Sequence, residues 1–134
     1  MSVESCTFKK GATAITPTGG TDQTFTETGS NVQNGINVAD ATVADFRIRP
    51  SIIFKNRQPT QAANGTWTKA KRSVSLTIPK VVSTGETIFN LVRIDLEAHP
   101  ESTIAEVNEL RFLAAQIIGS VESLNFFQAG SIRS

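Results

Sequence analysis

Residues 69–79 read Lys-Ala-Lys-Arg-Ser-Val-Ser-Leu-Thr-Ile-Pro, and from Lys71 the stretch alternates without a break. Lys71, Ser73, Ser75 and Thr77 fall at one parity, and Arg72, Val74, Leu76 and Ile78 at the other. Successive side chains of a strand point to opposite faces of a sheet, so the stretch predicts a strand with one apolar side and one side of hydroxyls headed by a lysine. The apolar side needs cover. The polar side needs a partner, or only water.

Upstream, residues 45–57 read as another strand, with Phe46, Ile48, Ile52 and Phe54 at one parity. Arg47, Arg49, Ser51, Lys55 and Arg57 take the other, joined by Ile53. Pro50 has no N–H to give a ladder, so it marks a bulge, an irregularity or an edge. Residues 58–64 form a polar loop, and Asn64-Gly65 makes a turn before Thr66-Trp67-Thr68 leads into the central strand. Downstream, Ser83, Thr84, Gly85 and Glu86 make a short loop. A further strand follows over residues 87–97, where Val92, Ile94 and Leu96 alternate with Arg93, Asp95 and Glu97.

The first third of the chain is rich in Thr, Gly, Asn and Ser, which suits short strands and turns. Residues 5–8 and 12–16 flank Lys9-Lys10-Gly11 as an N-terminal hairpin. Residues 24–28 and Ile36-Asn37-Val38 continue a meander, the latter entered through an Asn34-Gly35 turn. After residue 97 the hydrophobic period changes from two to about 3.6. Pro100, Glu101 and the Thr103/Glu106 pair are helix-start signals. Ile104, Val107, Leu110, Leu113, Ala114, Ile117 and Ile118 make a broad apolar stripe ending near Gly119. A second short helix, residues 121–128, carries Leu124 and the pair Phe126-Phe127. Strands first and helices last predict an α+β fold: an antiparallel five-stranded sheet with two C-terminal helices on one of its faces.

The length, 134 residues, suits a single domain over residues 1–134. A formal charge of +1 argues against coating nucleic acid by bulk charge, and leaves room for charge segregated onto one face. No apolar run approaches the roughly 18 residues that span a bilayer, and the N-terminus has no leader-like apolar core, so no membrane partner and a cytoplasmic site of synthesis are expected. Cys6 is the single cysteine, which excludes an intrachain disulfide and leaves a link between chains as one option beside a small apolar filler. His99 beside Pro100 reads as a turn or cap residue, and Asp95 with Glu97 beside Arg93 as an ion-pair network. No phosphate loop, nucleophile elbow or zinc-ligand spacing is present. The chain is read as a non-enzyme with no metal and no cofactor.

Two surpluses remain. The helices carry more large apolar groups than one narrow face can bury: Leu110, Phe112, Leu113 and Ile117, with Phe126 and Phe127 close by. Each is worth about 1.5 to 3 kcal/mol when buried. Two-fold pairing with a second copy through Ile104, Val107, Leu110, Leu113, Ile117, Phe126 and Phe127 would cover them. A thicker monomer core under the N-terminal meander would do so too. The second surplus is polar. If the three long strands are neighbours, Arg47, Arg49, Ser51, Lys55, Lys71, Ser73, Ser75 and Arg93 share one surface. Cations and hydroxyls there suit phosphate and sugar oxygens, and Phe89 could take an unstacked base. A merely solvated sheet face is the other reading.

Residues 34–38, the basic strand running into a polar loop, Ser73-Val-Ser-Leu-Thr-Ile-Pro-Lys-Val-Val82 and the helix over residues 102–119 resemble the coat proteins of the small single-stranded RNA bacteriophages, the levivirus group. The resemblance covers nearly the whole chain in element order. It implies an N-terminal hairpin, a five-stranded sheet and two helices that interlock with a second subunit into a ten-stranded sheet. It further implies an icosahedral shell, a virion location, packaged single-stranded RNA, and an RNA hairpin operator bound as a translational repressor. On this likeness Lys71, Ser73, Ser75, Arg47, Arg49, Ser51 and Lys55 face RNA, with Phe89 or Asn90 and Arg93 on the last strand. Ser83, Thr84, Gly85 and Glu86 form the loop between dimers. The loop is short for the group, and no Tyr is present for base stacking. A non-viral sheet-based RNA- or protein-binding module stands as the alternative.

Overall fold

A computed structural model describes residues 7–12, 15 and 17–130 of the chain. Two compact units make it up: Gly20–Pro100, and Met1–Gly19 together with Glu101–Ser134.

The first unit is a five-stranded antiparallel sheet in the order β1 (Thr26–Glu27), β2 (Gly35–Ala39), β3 (Ser51–Arg57), β4 (Ala70–Val81) and β5 (Thr87–Ala98). It is the predicted meander, and the α+β class holds. The entry to β2 explains the Asn34-Gly35 signal. Asn34 takes the left-handed conformation at φ 59°, and a Cβ on Gly35 would lie 2.0 Å from the Phe54 carbonyl oxygen, so only glycine fits there.

The strand expected over residues 45–57 begins only at Ser51. Asp45 Oδ1 accepts from the Arg47 N–H at 3.0 Å and turns Phe46–Ile48 into a single 3-10 turn. A short side chain bonding its own backbone competes with strand pairing, and here it wins over the alternating pattern. Pro50 sits just outside β3, where its carbonyl accepts from the Asp40 N–H at 3.1 Å. Pro79 lies within β4 two residues beyond Thr77↔Ser51, the last pair with β3, so no neighbour asks for its missing N–H.

Among the described residues β4 has a partner on each side, whereas β5 pairs with β4 alone. Val74 and Leu76 of β4 are half-buried; opposite them, Ile94 and Val92 of β5 are 41% and 46% exposed. Among the described residues the buried apolar side chains are Ala39, Ala70 and Ala98, and no large side chain is fully buried. Among the described residues the apolar parity implied by the sequence is thus present, half-buried at Val74 and Leu76 of β4 and exposed at Val92 and Ile94 of β5.

In the second unit, α1 spans Ile104–Gly119 and α2 Leu124–Ala129. Thr103 Oγ1 accepts from the Glu106 N–H at 3.2 Å, the cap that the sequence signalled. The second helix starts later than expected. Val121–Ser123 is a 3-10 turn, because the buried Ser123 hydroxyl donates back to the Ile117 carbonyl at the end of α1. Gly130, at φ 70°, ends α2. Ahead of the helices, Lys9 is held to α1 by a reciprocal pair of bonds. Its N–H donates to Gln116 Oε1 at 2.8 Å, and Gln116 Nε2 donates to its carbonyl at 3.0 Å. The expected N-terminal hairpin lies mostly outside the described residues, apart from a turn at Lys10-Gly11 with Gly11 at φ 77°. Cys6 also falls outside them.

Candidate nucleic-acid interface

Antiparallel register decides which side chains share a face, because directly opposed residues lie on the same side of the sheet. Lys71 stands between Arg57 and Glu97, Ser73 between Lys55 and Asp95, Ser75 between Ile53 and Arg93, and Thr77 between Ser51 and Leu91. Phe89 opposes Pro79 on the same face and is 64% exposed. Ser51, Lys55, Lys71, Ser73, Ser75, Phe89 and Arg93 are therefore brought together. The tight turn after β4 fixes this register: Val82 N–H donates to Glu86 O and Gly85 N–H to Val82 O, each at 2.9 Å.

Three expected members are placed elsewhere. Arg47 is off the strand, its Nη2 2.8 Å from Asp45 Oδ2 and its Nε on the same carboxylate. The guanidinium bonds hold the Asp45 carboxyl below its ordinary range and raise the Arg47 guanidinium in turn. Arg49 also precedes β3, and its Nε donates to the Val43 carbonyl at 2.6 Å. Asn90 opposes Ile78, so it lies on the face away from Phe89 and Arg93. For Arg47 and Arg49 the cause is the local Asp45 cap. For Asn90 it is parity.

The face is not uniformly cationic. Asp95 and Glu97 of β5 offset part of the charge of Lys55, Arg57, Lys71 and Arg93, and Arg57 Nη2 lies 3.8 Å from Glu97 Oε1. That pair is half-exposed and worth little on its own. A shallow depression of about 380 Å³ lies at the other side, lined by Gln33, Asn34, Lys55, Arg57, Lys71 and Ser73. Gln33 and Asn34 were not anticipated as lining residues; the Asn34-Gly35 turn signal located them without assigning them a role. Asn37 shares the face through its pairing with Ile53, and its Oδ1 is buried with no hydrogen-bond partner. The groups present are donors for anionic oxygens and hydroxyls for sugar or base edges.

The remaining expected surfaces are also open. Ile104 is 82% and Leu110 52% exposed, Ile117, Phe126 and Phe127 are exposed, and Val107 and Leu113 are half-buried. Ser83, Thr84, Gly85 and Glu86 close the β4–β5 turn within its own hydrogen bonds. Among the described residues, no group of His, Cys, Asp and Glu could hold a metal ion, and no helix is long and apolar enough to cross a membrane.

No protein-family model and no curated protein matches the chain. Among solved structures, the virus-like particle of bacteriophage GQ-907 aligns at 40% identity with a TM-score of 0.91, covering 98% of this chain and 100% of that one. The virus-like particle of Beihai levi-like virus 21 aligns at 14% identity with a TM-score of 0.67, covering 89% and 94%, and shares the fold. With that identity to the GQ-907 protein over its full length, the chain belongs to the levivirus-like bacteriophage coat proteins.

Proposed function

We propose that the chain is the shell-forming subunit of an RNA phage, which dimerises, assembles with further copies into an icosahedral shell in the virion and packages single-stranded RNA against its cationic sheet face. The observation that carries the shell is the 40% identity over the full length of a protein whose structure is a virus-like particle. Dimerisation is supported by physics as well. A lone chain leaves Leu91, Val92, Ile94, Leu110, Ile117 and Phe127 in water. Each is about half-exposed, so covering it recovers roughly half of the 1.5 to 3 kcal/mol of full burial, and together they amount to a large share of the stability of a small domain.

The edge of β5 gives the pairing a direction. Val82 donates to Glu86, and counting back by twos makes Leu76↔Val92 and Val74↔Ile94 hydrogen-bonded pairs. The N–H groups of Leu91, Arg93 and Asp95 consequently point away from β4. A long edge with free donors and apolar side chains is a template for another strand, and the same edge of a second copy satisfies it two-fold. The RNA role rests on Lys55, Arg57, Lys71, Arg93 and the Ser73 and Ser75 hydroxyls sharing one face. Recognition of an RNA hairpin operator, and with it translational repression, belongs to the same face.

Size exclusion and electron microscopy of the purified chain test the reading. Shells tens of nanometres across, with ribonuclease-protected RNA, are expected. A small monodisperse species at all salt and RNA concentrations would contradict it.

A further inference from the structure

The two hairpins at either end of β4 differ in length and composition. The β4–β5 turn is closed by Val82 and Glu86 and offers only a tip of three residues. The β3–β4 connection, residues 58–69, is longer and has an ordered end of its own. Thr68 N–H donates to Thr60 O and Ala62 N–H to Thr66 O, both at 2.8 Å, and Gln61 forms a bridge with Trp67. Its tip is pinned as well. Gly65, at φ 88°, donates to the Ala62 carbonyl at 3.0 Å, while Asn64 Oδ1 accepts from the Thr66 N–H at 3.1 Å and from its hydroxyl at 2.7 Å. At its base, Arg57 Nη2 donates to the Lys69 carbonyl at 3.2 Å.

Among the described residues no other strand flanks this hairpin. The last β2 pair with β3 is Gly35↔Lys55, and the last β5 pair with β4 is Ala70↔Ala98, so both neighbours stop before residues 58–69 begin. The hairpin therefore extends past the paired strands of the sheet, with neither edge joined to another strand among the described residues. It carries Trp67, the single tryptophan of the chain, 44% exposed. Residues 58–68 include no charged side chain. An exposed tryptophan on an ordered, uncharged projection has the composition of a protein contact, since interface centres are depleted in charge and enriched in aromatics. The same lack of cations counts against RNA, whose binding needs charge.

We propose that the projecting hairpin at residues 58–68 is a contact between coat dimers, with Trp67 as its anchor, and that its occupant is a second copy of this chain in the shell. It takes up the contact that the short turn at Ser83, Thr84, Gly85 and Glu86 has little length to make. This inference rests on the shell-forming role proposed above.

The single tryptophan makes the test direct, since all indole emission reports on residue 67. Particles and dimers released from them are compared by emission maximum and acrylamide quenching, and Trp67→Ala is followed through assembly by light scattering. Expected are a blue-shifted, less quenchable emission in particles and, in the variant, intact dimers with a critical assembly concentration raised about tenfold or more. Trp67→Phe should recover part of the loss. Identical emission in dimer and particle, or unaltered assembly of Trp67→Ala, would overturn the contact. So would quenching of dimers by a single-stranded oligouridylate before any particle forms, which would make the hairpin an RNA surface. Failure of the unaltered chain to form particles would instead strike at the shell-forming role itself.

Discussion

β4 and β5 are equal in length, lie side by side and carry similar alternating side chains, yet one is half-covered and the other is open. Val74 and Leu76 are half-buried, whereas Ile94 and Val92 across from them are exposed. Composition does not separate them; the number of neighbouring strands does. Among the described residues β4 has two and β5 has one. Burial in a sheet is supplied by neighbours, and on the reading proposed above β5 is a half-completed element that a copy of itself would complete.

The largest expected effect comes from blocking that edge. Leu91→Pro removes an outward N–H while sparing the bonds to β4, and a proline inside a completed sheet takes away a ladder hydrogen bond that an edge strand would not miss. Dimer dissociation measured by analytical ultracentrifugation should rise more than 100-fold. A variant that dimerises normally would make β4 and β5 alike after all. Leu110→Asp addresses the proposed helical contact: the position is 52% exposed in one chain, so folding is spared while a charge is placed where a second copy is proposed to pack. Dimers should weaken by about 10- to 100-fold in the same measurement. Unchanged dimers would move α1 out of the interface.

A smaller effect separates the sheet face from its approaches. Lys71→Ala should weaken RNA binding and reduce the salt dependence of log K by about one. Arg47→Ala should leave that slope unchanged, because its guanidinium is already spent on Asp45. Equal slopes for both variants would erase the distinction between β4 and the 3-10 turn at Phe46–Ile48.

The smallest effect is in acid. The buried Asp40 carboxylate accepts from the Thr42 hydroxyl at 2.6 Å, the Gln23 amide at 2.7 Å and the Thr42 N–H at 3.0 Å, bonds that lower its pKa from 3.8. A lowered folded pKa gives stability that is complete above the unfolded value and is lost as pH falls through the folded one. Asp40→Asn should therefore flatten the decline of urea stability below about pH 4 and leave the RNA salt slope alone.

Much of this was legible from residue order because two periods carry it. Alternation over residues 71–78 gives the sheet and its two faces, and the 3.6 period from Ile104 gives α1. The turn at Asn34-Gly35 and the Thr103 cap were readable because a steric or hydrogen-bond requirement acts within three residues. Errors arose where a local bond outcompeted a periodic pattern, as Asp45 does at Arg47, and where register depends on a turn's hydrogen bonds, as for Asn90. The openness of β5 was unreadable for another reason: its residues alternate as those of β4 do, and only the count of neighbours tells them apart.

Amide hydrogen exchange on the associated protein examines that count residue by residue. If β5 pairs with β5 of a second copy, the N–H groups of Leu91 and Arg93 should exchange as slowly as those of Ser73 and Ser75, which β3 protects. Exchange at the rate of the open Ser83 and Thr84 turn in the same sample would mean that the edge is free, and the two-fold sheet would have to be abandoned.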